Sequence, residues 1–243
     1  MPHADDDNPY ASPRVGAGES SYYQFVPTNA SFGEIWHLTF PNVVAFAIVA
    51  LAKCVRLKVA TPLGFAPEQI TMAGPSALPA EARHAMAPSL AELAAAGFTP
   101  KLVQSLPLVG NAEVHTLIHA NHDGTILGST VYARHVRRSQ MYHAVGSKLA
   151  DGRFLSTSGA PERLRNPPQM EVLRRRGASI AALLELHRRR LSENASTRPV
   201  AFDDAGLRAC LRENELATLE FHRARKVWVP MSVVALERLR AGQ

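Results

Sequence analysis

The chain has 243 residues, 46% of them hydrophobic and 20% charged, enough apolar surface for one sizeable core, which excludes disorder over the whole length. Two cysteines, Cys54 and Cys210, exclude a disulfide scaffold and any four-thiolate zinc or iron–sulfur site, and they fit a reducing compartment. The net charge of +6 is unevenly placed: residues 1–35 hold five acidic and one basic residue, residues 134–190 hold 13 basic and 4 acidic.

Residues 1–34, with Pro2, Pro9, Pro13 and Pro27 among Asp, Ser, Tyr and Gly, lack a sustained apolar period and read as a disordered acidic arm. The arm is too long and too acidic before the apolar stretch to be a secretory signal. Residues 35–52 then contain no Asp, Glu, Lys or Arg, and Val43 to Ala52 is apolar without a break. As one helix they would span roughly 27 Å, close to the ~30 Å hydrocarbon core. Lys53, Arg56 and Lys58 follow, so residues 35–57 read as a single-pass transmembrane helix with its C-terminal side in the cytoplasm. Trp36 and Phe40 suit the opposite interface. His37, Pro41 and Asn42 lower the apolarity of the first turns and keep open the alternative, a buried helix of a soluble cytoplasmic domain.

Residues 58–88, with Pro62, Pro67, Pro75, Pro79 and Pro88, read as a Pro/Ala-rich linker with one short helix at 80–87. The folded domain, 89–243, opens on a helix: Ser89 and Glu92 form an S-x-x-E capping box, Leu90 and Leu93 give an apolar stripe, and Gly97 gives a stop. The period then changes to two. Lys101–Val109, Ala112–Ala120, Ile126–Val136, Gln140–Leu149 and Phe154–Ser158 predict a five-stranded antiparallel meander with turns at Asn121–Gly124 and Asp151–Gly152. Two helices follow. Ser179 caps the first, which carries Ile180, Leu183, Leu184, His187 and Leu191 on one face; Asp203 or Asp204 opens the second, which carries Leu207, Leu211, Thr218 and Phe221. The fold class is α+β, with one sheet face covered by helices, and Val227 to Arg240 is free to lie on the domain or on a bilayer.

The order LAELAAAGF, strands, GSKLADGRFLSTS, LLELHRRRL and an aromatic-Val-Pro stretch at Trp228 to Pro230 resembles a set of uncharacterised bacterial membrane-anchored proteins. The resemblance runs over roughly residues 35–240. It implies one N-terminal span followed by a helix-strand domain and transfers no catalytic residue.

His115, His119 and His122 would share a helical face, but on a strand His115 and His119 lie about 13 Å apart, too far for one ion, so no metal set is read. His187 sits in an apolar stripe, where a core histidine bonded to Ser156 or Thr157 weighs against a functional one. His143, Ser156 and Asp151 form a triad on paper without a G-x-S-x-G elbow, and Asp151 is explained by its turn. Arg174, Arg175, Arg176 and Arg188, Arg189, Arg190 flank one helix, with Arg134, Arg137 and Arg138 adding charge, and suit anionic lipid head groups or a solvated face. Nucleic acid is disfavoured because aromatic interleaving is missing. No cofactor motif is present. The expectation is a membrane-anchored binding or scaffold module whose partner is the lipid bilayer, with a protein partner unnamed. The alternative is a small hydrolase-like enzyme using His187 or His143 beside Ser156.

Overall fold

The computed structural model describes residues 19–39, 42–57, 64–106, 108–109, 112–135, 138–161, 164–194 and 197–241. In chain order these form β1 (Glu19–Phe25), α1 (Phe32–Thr39), α2 (Val43–Cys54), β2 (Gly64–Phe65), β3 (Thr71–Ala73), α3 (Ala80–Ala95), β4 (Thr99–Leu106) and β5 (Leu108–Val109). There follow β6 (Ala112–Ala120), β7 (Leu127–His135), β8 (Arg138–Lys148), β9 (Phe154–Ser158), β10 (Met170–Arg174), α4 (Ile180–Glu193), α5 (Asp204–Ala224), β11 (Trp228–Ser232) and α6 (Val233–Arg240). The fold is α+β with two sheets. One has seven strands in the order β10-β9-β8-β7-β6-β4-β3; the other has four, β11-β1-β2-β5.

The meander is larger than five strands. β4, β6, β7, β8 and β9 pair antiparallel in succession, but β3 extends one edge and β10 runs parallel to β9 at the other. The segment Lys101–Val109 divides, because Leu108–Val109 leaves to pair with β2 in the small sheet. Both faces of the large sheet are covered, and adjacent residues of β6 show how. Leu117 packs with Met86 of α3, while Ile118 packs with Leu207 of α5. α4 joins α3 on the first face through Leu183 and Leu184 against Val145 and Phe98. The turn before β7 needs its glycine: Gly124 has φ +68°, and a Cβ there would stand 2.9 Å from the Phe202 carbonyl oxygen.

The transmembrane helix is overturned. Among the described residues no helix is long and apolar enough to cross a membrane. At 12 residues, α2 is roughly 18 Å long against a ~30 Å core. The break has a local cause. The Thr39 carbonyl accepts from Asn42 N–H at 2.7 Å, and the Asn42 side chain then caps a new helix by accepting from Ala45 N–H at 2.9 Å. Trp36 and Phe46, ten positions apart, meet edge to face with ring centroids 5.2 Å apart. In one straight helix they would be about 15 Å apart. Phe40, Pro41 and Lys58 lie outside the described residues.

Two neighbouring expectations also change. Residues 1–18 lie outside the described residues, but the rest of the supposed arm is structured: β1 sits between β11 and β2, and Val26, Thr28 and Ala30 are buried. Its partner strand is about 200 residues away in sequence, so no local pattern could reveal it. Most of the supposed linker is structured as well. Pro67 and Pro75 open 3-10 turns, Pro79 precedes α3, and the helices expected at 80–87 and from Ser89 are one helix with Pro88 inside it. Val227 to Arg240 lies on the domain, with Val227, Met231 and Leu236 buried.

Candidate functional site

His187 is sealed inside the domain at 0% exposure. Its Nε2 stands 3.1 Å from Ser147 Oγ and its Nδ1 3.2 Å from Thr157 Oγ1. The Ser147 hydroxyl donates to the Thr125 carbonyl at 2.8 Å, so Ser147 is left to accept from Nε2–H. Thr157 Oγ1 accepts from Arg190 at 3.2 Å and donates its own proton to Nδ1. Burial, and then the Arg190 charge, hold the imidazole down to about 4, so it stays neutral. The chain from Arg190 through Thr157, His187 and Ser147 to Thr125 is saturated. It fastens α4 to β8 and β9 and leaves no ring nitrogen for a substrate.

The other paper candidates are dispersed. His143 is partly exposed between Ser89 Oγ and Thr130 Oγ1, each at 3.4 Å, and burial lowers its pKa despite the Glu92 charge. Ser156 contributes its carbonyl to Arg190. Asp151 accepts from Arg153 in the hairpin turn. His115 bonds Ser105 at 2.9 Å, His119 is buried with Nδ1 unpartnered, and His122 lies in the exposed turn, so the strand keeps the three apart.

The six arginines do not form one surface. Arg174 bonds Asn166, and Arg190 is spent on the Ser156 and Glu171 carbonyls and on Thr157. Arg175, Arg176, Arg188 and Arg189 remain exposed. Arg134 joins Glu81 to Glu113. Arg137 lies outside the described residues, as does the side chain of Arg138.

Sequence reasoning missed Glu215. It falls four residues after Leu211 and three before Thr218, on the sheet-facing stripe of α5, which was the available signal. Its carboxylate accepts from Gln104 Nε2 at 3.2 Å. Burial pushes it up to about 7 against the lowering effects of Gln104 and Arg212, although its side chain keeps some contact with solvent.

Among the described residues, most of the exposed large hydrophobic side chains lie in or just beyond α1 and α2. The inner side of α2, Phe46 and Val49, packs with Ile35, Val227 and Leu164. Its outer side and the residues just beyond it show Val43, Val44, Ile48, Leu51, Val55 and Leu57 at 59 to 69% exposure. Val44, Ile48, Leu51 and Val55 follow the 4-3-4 spacing of one helical face, and Phe32 and Trp36 of α1 add exposed rings beside it. A helix apolar on all sides has to be covered by something. In the sequence between Ile35 and Pro67 there is no Asp or Glu, whereas Lys53 stands in the last turn of α2 and Arg56 follows two residues after its end. Lys53 Nζ donates to the Thr28 carbonyl at 2.9 Å, fixing the hairpin to the body. Glu34, 5% exposed, pairs with Arg225 and accepts from the N–H groups of Ser31 and Arg165, each at 2.8 Å. Burial alone would raise this carboxyl, but those bonds hold it at about 2.

No family model, no curated protein and no solved structure matches the chain.

Proposed function

We propose that the chain is a binding module that attaches to the surface of an anionic lipid bilayer, lying in its plane through the α1–α2 hairpin. The observation that carries this reading is the continuous apolar outer face of α2 with Lys53 and Arg56 at its C-terminal end. Taking the exposed part of six aliphatic side chains out of water contributes about 1 kcal/mol each. Each nearby basic residue adds about 1 kcal/mol at an anionic leaflet. Trp36, edge-on to Phe46 at the margin of the patch, suits the head-group level. α2 is too short to span, so its apolar face is immersed to the depth of the acyl boundary, as in interfacial helices.

Co-sedimentation of the full chain with vesicles tests the reading. Binding is expected to vesicles containing anionic lipid, to weaken with salt, and to be lost in the Ile48→Asp/Leu51→Asp double variant. Failure to pellet with anionic vesicles overturns it. So does a concentration-dependent dimer in lipid-free solution that the same substitutions dissociate, which would assign the stripe to a second copy of the chain.

A further inference from the structure

We infer that a second surface, the hollow along the outer side of α4, binds a small phosphate-bearing group that also carries a hydroxyl or ammonium donor. The hollow measures about 280 Å³ and is lined by Arg175, Ala178, Ala182, Glu185, Leu186 and Arg189. Residues 178, 182, 185, 186 and 189 are spaced to share one side of the helix, so the two guanidinium groups bracket an apolar floor.

The turn that presents Arg175 is held in place. Arg175 N–H donates to the Ser158 carbonyl at 2.8 Å, Gly177 N–H to the Gly159 carbonyl at 3.3 Å, and Ala178 N–H to the Arg175 carbonyl at 3.0 Å. Gly177 has φ +72°, a conformation that favours glycine. Two arginines of the same stretch of sequence are used differently. Arg174 and Arg190 are tied to Asn166 and to strand carbonyls, while the side chains of Arg175 and Arg189 have no hydrogen bond or ion pair among the described residues. The helix end itself does not do the binding, because Ser179 Oγ already accepts from Ala182 N–H and Glu92 from Ala181 N–H.

The lining dictates the ligand. A guanidinium group suits the oxygens of a phosphate, since it donates paired N–H groups to an anion. Glu185, on the same wall and paired with neither arginine, requires a donor on the ligand. Ala178, Ala182 and Leu186 take its carbon skeleton. A soluble phosphate monoester and a phospholipid head group share this chemistry.

Calorimetric titration of the full chain with glycerol phosphate and with inorganic phosphate tests the inference. An Ile48→Asp/Leu51→Asp background, which silences α2, is used for vesicles with and without phosphatidic acid. Arg175→Gln and Arg189→Gln are each expected to weaken binding roughly tenfold or more, and Arg176→Gln and Arg188→Gln to change it less than twofold. Glu185→Gln should weaken glycerol phosphate and spare inorganic phosphate. Binding of the soluble ester assigns the site to a free molecule; binding confined to phosphatidic acid vesicles and lost in Arg175→Gln assigns it to a head group. No binding in any arm, or equal losses in all four arginine variants, overturns the inference without touching the α2 reading.

Discussion

Glu34 and Arg225, 191 residues apart in sequence, form the ion pair that fastens α1 to the end of α5. The pair closes over a carboxylate with two further donor contacts, from the N–H groups of Ser31 and Arg165, whereas Arg225 keeps one buried guanidinium nitrogen unpartnered. Removing the carboxylate would strand that cation. Glu34→Gln is expected to cost about 3 kcal/mol in urea unfolding and to raise hydrogen exchange first in α1 and α2. Because the folded carboxyl lies near 2 and its ordinary value is 4.5, its contribution is complete above pH 4.5 and is lost as pH falls toward 2. A variant as stable as the parent at pH 7 would show that the pair is incidental.

His187 offers a cleaner electrostatic test. Its folded value near 4 lies below the ordinary 6.5, so the stability it contributes is present above pH 6.5 and disappears as pH falls through 4, up to about 3 kcal/mol. The network specifies a neutral ring with the proton on Nε2. Nitrogen-detected NMR should show that tautomer unchanged down to about pH 5. A ring that titrates near 6.5 would mean that the hydroxyl pair does not seal it.

Glu215 has the opposite sign. Its folded carboxyl is raised to about 7, so the stabilisation is present below 4.5 and is lost as pH rises through 7. Glu215→Gln keeps a hydrogen-bonding end toward Gln104 and removes the charge. It is expected to stabilise the fold by about 1–3 kcal/mol at pH 8, with little difference at pH 4.5. Urea midpoints at the two pH values decide it, and equal midpoints would place the carboxylate in water.

What could be read from sequence was local. The α4 stripe with its Ser179 cap, the α5 start at Asp203 and the strands from Ala112 to Ser158 each carry their own periodicity and turn residues, and the structure places them there. Long-range pairings were not legible. β1 has β11 as its partner, β10 shows no alternation because all five of its residues are half-buried, and an apolar run that looks continuous breaks where Asn42 caps. Composition counted Arg174 and Arg190 as surface charge, but Arg174 bonds Asn166 in the preceding loop, and the carbonyls and hydroxyl that claim Arg190 come from β9 and β10. Of the two hydroxyls the sequence offered to His187, Ser156 and Thr157, it is Thr157 that bonds it, while Ser147 on the neighbouring strand β8 was not legible.

The two cysteines report separately on surface and core. Cys54 ends α2 and is exposed beside Leu51 and Val55, whereas Cys210 is buried under α5 with its thiol pushed up to about 11 by that burial. In the native chain a thiol reagent at pH 8 is expected to modify Cys54 within minutes and Cys210 only at the rate of unfolding. If α2 lies in a bilayer surface, anionic vesicles should slow Cys54 labelling at least severalfold and leave Cys210 unchanged, because immersion removes the thiol from the aqueous reagent. The Ile48→Asp/Leu51→Asp chain should label Cys54 at the same rate with or without vesicles. Unchanged labelling of the parent chain on vesicles that it demonstrably binds would mean that another face makes the contact.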